Sequence, residues 1–270
     1  LPAPMTEREF AEHIAELASK NKIFTSYIGM GWYDTVCPAP ILRNVFENPN
    51  WYTSYTPYQA EISQGTLHYI FEYQSMMAEL TGMEISNASM YDGSTATAEA
   101  AIMAMSSGKK CTKVLASRTV DPKTLRVVET YAKFQGFKIE LIDEKDGVTD
   151  REDMRRRLDE GGVAGVILQI PNYYGIVEDY TGFADDIHDK KALMIMNSVA
   201  ADLAILKTPG EWGADIAVGD IQSLGLPMAF GGPYAGYMCS TEKLMRKLPG
   251  RIVGKTLDSR GQRVFALTLQ

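Results

Sequence analysis

Three stretches of this 270-residue chain carry residue types and spacings that could do chemistry. In YDGSTATAEA (91–100), Gly93 permits a tight turn, and Ser94, Thr95 and Ala96 follow at the start of a helical pattern. Free N–H groups and hydroxyls at a helix N-terminus bind a phosphate or carboxylate; the same residue types also serve simply as helix caps. In IMNSVAADLA (195–204), the neutral amide of Asn197 closes a strand-like run, and Asp202 follows beyond it. In GDIQSLGLPMAFGGPYAG (219–236), Gly225, Gly231, Gly232 and Gly236 make a glycine-rich bend after another strand-like run. Imine chemistry needs a nucleophilic amine, and the bend offers Gln222-Ser223-Leu224 instead. Lys207 is the nearest lysine before it, yet it precedes the strand, so a solvated loop lysine is the simpler reading. A GxGxxG dinucleotide fingerprint is absent.

The elements that must position these groups follow from the pattern. Thr6 and Glu9 form a capping box for an amphipathic helix over 6–19. Residues 20–57 are rich in Gly, Pro and Tyr without regular periodicity, as expected of an arm that lies against something. A helical pattern runs from Tyr58 to Leu80 and stops at Gly82. A helix from about Thr95 to Gly108 comes next, then a strand over 113–117. Asp121 and Pro122 open a helix, and 138–143 reads as a strand. Thr149 and Glu152 form a second capping box. Apolar runs at 163–170, 192–198 and 214–220 suit strands covered on both faces. The run 234–240 follows with no intervening helix and is expected to turn back antiparallel, and Thr241 opens another helix. The alternation predicts an α/β fold with a mostly parallel sheet flanked by helices. The run GQRVFALTLQ closes the sequence in a strand-like pattern, from which a truncated chain is expected.

Composition narrows the function. A formal charge of −7 argues against nucleic acid. No apolar run is long enough for a membrane span, and the start lacks a signal-peptide pattern. Three scattered cysteines, Cys37, Cys111 and Cys239, form neither a disulfide framework nor a metal motif, which fits a reducing cytoplasm. His13, His68 and His188 are isolated, so no metal site is read.

Several long motifs carry a resemblance. The stretch beginning NWYTSYTPYQAEISQG and ending YDGSTATAEAAIMA, together with PGEWGADI, QSLGLPMAFGGPYAGYM and EKLMRKLPGRIVGKT, closely resembles the N-terminal half of the glycine decarboxylase P-proteins, from about residue 6 to 270. The resemblance implies the large domain of the pyridoxal-phosphate (PLP)-dependent transferases of the aspartate aminotransferase-like fold type I. It divides the chain into an N-terminal helix and aromatic arm (1–57), the large domain (58–250) and the start of a C-terminal segment (251–270).

In many bacteria that half is a separate subunit 1, and the PLP lysine belongs to subunit 2. Aligned on the strand and glycines, the family's His-Lys pair falls on Gln222-Ser223, and its pyridinium aspartate falls near Asn197. Ser223 and Asn197 are thus expected to leave this chain without its own PLP, with Gly93, Ser94, Thr95 and Ala96 as a vestigial anion pocket. Subunit 2 is the implied partner in a heterodimer, with a homodimer expected in isolation. Tyr52, Tyr55, Tyr58, Gln59, Glu61, Ser63 and Gln64 would wall the partner's active site or merely seal the interface. The implied oxidoreductase reaction of glycine catabolism decarboxylates glycine and passes its aminomethyl group to lipoylated H-protein. Two other readings stay open: an independent PLP-dependent lyase or aminotransferase using Lys207, and a non-catalytic module that binds H-protein.

Overall fold

Strands arise where apolar residues occupy both alternations of a short run. A computed structural model describes residues 2–27, 29, 34–51, 56–232 and 234–268. The chain forms two compact units, residues 1–33 and 34–270. The first holds α1 (Glu7–Ser19), opened by the Thr6–Glu9 capping box that the sequence predicts.

In the second unit α2 (Ala39–Phe46), α3 (Gln64–Thr81), β1 (Ile85–Ser86), α4 (Gly93–Ser107), β2 (Lys113–Ser117), α5 (Pro122–Gln135) and β3 (Lys138–Ile142) come first. A small hairpin, β4 (Glu144–Lys145) with β5 (Val148–Thr149), precedes α6 (Arg151–Asp159), β6 (Val163–Gln169) and α7 (Phe183–Asp189). Then follow β7 (Leu193–Asn197), β8 (Ile216–Asp220), β9 (Gly236–Ser240), β10 (Ile252–Leu257) and β11 (Arg263–Thr268). The main sheet has the order β1-β9-β8-β7-β6-β2-β3. Strands β3, β2, β6, β7 and β8 are parallel, and β9 turns back antiparallel as expected. β10 and β11 form a separate antiparallel ribbon against α3.

Four local expectations change. α2 lies inside the stretch read as irregular; Pro40 in its first turn has the fixed φ that suits a helix start. α3 begins at Gln64 rather than near Tyr58. Thr149 is not a cap: it is a β5 residue whose hydroxyl bonds Ser117 at 2.8 Å and whose N–H donates to Glu178. Asp150 caps α6 instead, accepting from the N–H groups of Glu152 and Asp153. After β9, the segment opened by Thr241 is a 3₁₀ turn, Glu242–Lys247, with no side-chain cap.

Side-chain parity divides the core between the two sheet faces. Val114, Ala116, Ile167, Ile195, Ile216 and Val218 pack with α4 and α5. Leu115, Val166, Leu168, Met194 and Met196 pack with α6 and α7 on the other face. The period of two therefore fixes where the last residue of each strand points. Gln169, Asn197 and Asp220 end three neighbouring strands in step with Ile167, Ile195 and Val218, so all three lie on the α4 side.

Candidate functional site

In open parallel sheets ligands collect at the carboxyl ends of the strands, and here that edge is polar on the α4 side. Gln169 and Asn197 are direct register partners. The Asn197 amide donates to Gln169 Oε1 at 3.3 Å, and the same oxygen accepts from the Asp121 N–H at 2.9 Å. Gln169 Nε2 in turn donates to Pro171 O. Asn197 is largely buried, so its amide serves a fixed network of neutral groups.

The N-terminus of α4 faces this edge but is capped from within the chain. Asp92 Oδ1 accepts from the Thr95 N–H at 2.8 Å, and the Thr95 hydroxyl donates to Asp92 Oδ2 at 2.9 Å. The Ser94 hydroxyl pairs with Thr124 at 3.0 Å. Backbone approach is close as well. A Cβ at Gly93 would stand 2.8 Å from the Asp220 nitrogen, and one at Gly236 would stand 2.5 Å from the Asp92 carbonyl carbon. Gly93, Ser94, Thr95 and Ala96 are thus gathered at the expected helix start, where a carboxylate of the chain already sits.

The charge at this edge is negative. Burial pushes the Asp220 carboxyl up to about 6; the Gln222 N–H and Tyr234 hydroxyl oppose the rise, while Asp202 and Asp92 add to it. Burial also raises the Asp202 carboxyl. Behind them, the buried Tyr237 hydroxyl donates to Ser198 O at 3.0 Å and pairs with the Ser198 hydroxyl at 2.8 Å.

The bend after β8 is a 3₁₀ turn, Gln222–Leu224. Gln222 is buried and its amide donates to Leu226 O at 2.6 Å. Leu226 O also accepts from the Thr35 hydroxyl at 2.9 Å, so the segment after residue 33 lies on the bend. The Ser223 Oγ is buried and has no hydrogen-bond partner among the described residues. Lys207 lies elsewhere. Its ammonium sits 3.7 Å from the centre of the Trp212 ring, in the loop that enters the amino end of β8. The bend leaves the carboxyl end of that same strand, so the spatial order excludes Lys207 from this site.

The remaining described candidates lie just before α3 and in its first residues, not at the strand ends. Tyr52 and Tyr55 lie outside the described residues. Tyr58 is exposed, with the Arg251 guanidinium 5.6 Å from its ring, and Gln59 and Glu61 are exposed. Ser63 sits at the start of α3 without a side-chain cap. Gln64 clamps the ribbon: its amide donates to Ala60 O and Phe265 O, and its oxygen accepts from the Phe265 N–H at 2.9 Å. His68 stacks on Phe265, and His188 lies 2.8 Å from Asp215. Among the described residues no group of three or more metal-ligating side chains gathers. No described helix is long and apolar enough to cross a membrane. Asp92, Gln169 and Asp220 are not among the residues expected from sequence; an aspartate directly before Gly-Ser-Thr was the available sign of the cap.

Residues 1–270 match the family model described as Glycine cleavage system P-protein. The chain belongs to the glycine cleavage system P-protein family. It is 48% identical over 270 residues to a probable glycine dehydrogenase (decarboxylating) subunit 1 of Moorella thermoacetica, covering 100% of this chain and 60% of that one. A protein of the same description from Bacillus cytotoxicus is 46% identical over 268 residues, 98% of this chain and 59% of its own. The chain therefore spans about three fifths of the length of these P-protein relatives. A crystal structure of glycine decarboxylase (P-protein) of the glycine cleavage system, in inhibitor-bound form, superposes with a TM-score of 0.90 at 41% identity, over 100% of this chain and 60% of that one. Alanine–glyoxylate aminotransferase from Nostoc sp. shares the fold alone, with a TM-score of 0.60 at 16% identity over 85% of this chain and 58% of its own. The architecture is that of the PLP-dependent fold type I enzymes.

The residues at this P-protein edge do not fit PLP. That coenzyme needs an amine for the imine, an acid against its ring nitrogen and a receptive anion site for its phosphate. The places that the resemblance assigns to these groups hold the Ser223 hydroxyl, the Asn197 amide and a helix start already capped by Asp92, with Asp220 and Asp202 nearby.

Proposed function

We propose that this chain is the PLP-free subunit 1 of a glycine decarboxylase, acting in the cytoplasm with a PLP-bearing subunit 2. The observation that carries this reading is Ser223 standing where an amine is required, in a bend whose glycine framework is kept. The complete assembly removes CO2 from glycine and transfers the aminomethyl group to the lipoyl arm of H-protein, reducing its disulfide. The chemistry belongs to the partner's site. This chain contributes a scaffold, and of the candidates for the wall of that site Tyr58, Gln59 and Glu61 are available at the surface, whereas Gln64 is held by the β10–β11 ribbon.

Mixing purified chain with subunit 2 tests the reading by glycine–CO2 exchange. Activity is expected from the mixture and from neither chain alone. Exchange by this chain alone with added PLP would overturn it. So would a single pyridoxyl-lysine recovered after borohydride reduction and peptide mapping, which is the result an independent PLP enzyme demands. Binding of lipoylated H-protein in the absence of subunit 2 would favour a docking module instead.

A further inference from the structure

An open groove of about 490 Å³ lies between α3 and the β10–β11 ribbon, within the range of about 300–1,000 Å³ usual for small-molecule sites. Ribbon register explains its lining. Lys255 pairs directly with Phe265, and Leu257 with Arg263. The period of two then places Val253, Lys255, Arg263 and Phe265 on one face. Val253 and Phe265 pack on Leu67 of α3, so this face is turned toward the helix. Lys255 and Arg263 consequently line the groove together with the apolar residues.

The floor is aromatic. His68 stacks on Phe265 with ring centres 4.8 Å apart and planes 13° from parallel, and Phe71 meets the same ring at 5.1 Å. Met76 is exposed at the rim and adds a polarizable thioether. Lys255 and Arg263 occupy diagonal cross-strand positions, where Cα atoms stand roughly 7–8 Å apart and like charges oppose each other. Among the described residues neither cation has a carboxylate partner; the Arg263 guanidinium instead lies 6.0 Å from the centre of the Phe265 ring. One anionic head between the two cations would relieve their repulsion while an apolar body covers the aromatic floor. Glu72, 3.4 Å from His68 Nε2, repels a second negative charge in the same groove.

The geometry points to a binding site for a small apolar monocarboxylate, an aryl or short acyl chain with a single carboxylate, held between Lys255 and Arg263 over the His68–Phe265 stack. NMR titration of the 270-residue chain, labelled at its methionine methyls, with phenylbutyrate tests this. The Met76 methyl is expected to shift saturably. Phenylbutyramide, which has the body without the charge, and acetate, which has the charge without the body, bind at least about tenfold more weakly. Lys255→Gln with Arg263→Gln weakens phenylbutyrate about tenfold, equivalent to about 1.4 kcal/mol. Lys243→Gln with Arg246→Gln makes the same change in net charge on exposed residues outside the groove and leaves the affinity unchanged. Met76→Glu, an exposed helix substitution, also weakens binding, read by titration calorimetry against wild type because it removes the reporter methyl, and serves if the ribbon variant does not fold. Equal affinity for the amide, equal affinity for acetate, indifference to both groove variants, or no saturable Met76 shift would each overturn the assignment.

Discussion

Replacing Asp220 by Asn should stabilise the protein, and by an amount that grows with pH. Asp220 ends β8 among the packed ends of three strands, and its carboxyl is pushed from an ordinary 3.8 to about 6, chiefly by burial. Its folded-state pKa is above its unfolded value, so between these two pH values the folded chain binds more protons than the unfolded chain. Stability is then complete below about pH 3.8, falls as pH rises, and has lost the whole contribution above about pH 6. The rise from 3.8 to about 6 amounts to about 3 kcal/mol. An asparagine keeps an oxygen that can accept from the Gln222 N–H or the Tyr234 hydroxyl and carries no charge to desolvate. Urea denaturation followed by circular dichroism at pH 4, 6 and 8 measures the difference from wild type. The expected gain is about 2–3 kcal/mol at pH 8 and close to zero at pH 4. A gain that does not vary with pH, or a loss at pH 8, would refute the idea that a costly buried carboxylate closes this strand.

Four further substitutions can be checked by the same unfolding measurements, the last also by hydrogen exchange. Asp150→Ala removes the acceptor for two N–H groups at the start of α6 and should cost about 1 kcal/mol. Gly236→Ala drives a Cβ to 2.5 Å from the Asp92 backbone and should cost about 2 kcal/mol or more; Gly65→Ala, with open space at its Cβ in α3, should gain about 0.5 kcal/mol. Gln64→Ala frees the Phe265 N–H and C=O from the amide that clamps them; about 1–3 kcal/mol is lost, and hydrogen exchange at Phe265 should accelerate more than exchange in β6.

The sheet was readable because its chemistry is local. VAGVILQI, ALMIMNS and ADIAVGD are apolar on both alternations, and the absence of a helix before residues 234–240 already implied the antiparallel return of β9. That the bend reads Gln222-Ser223-Leu224, with no lysine, can likewise be seen without coordinates. What escaped depended on distance in sequence or on competition between neighbours. Thr149 and Asp150 both look like caps, and the choice turned on Thr149 being drawn to Ser117 and Glu178, 32 and 29 residues away. The negative character of the strand edge arises only when Asp92, Asp202 and Asp220 are folded together. Gln64 looked like a surface polar group at an interface; its tie to Phe265, 201 residues later, has no local sign. The short α2 was masked by the Gly, Pro and Tyr around it.

The Thr35–Leu226 tether places Cys37 beside the bend: a Cβ at Gly225 would lie 4.0 Å from its sulfur. Cys239 is buried, and burial raises its thiol to about 11, while Cys111 donates to Val163 O at the far end of the sheet. The molecule thus carries its own chemical gauge. The alkylation rate of Cys37, read apart from the equally half-exposed Cys111 by peptide mass, reports whether the Thr35–Leu226 contact is made, without any engineered label.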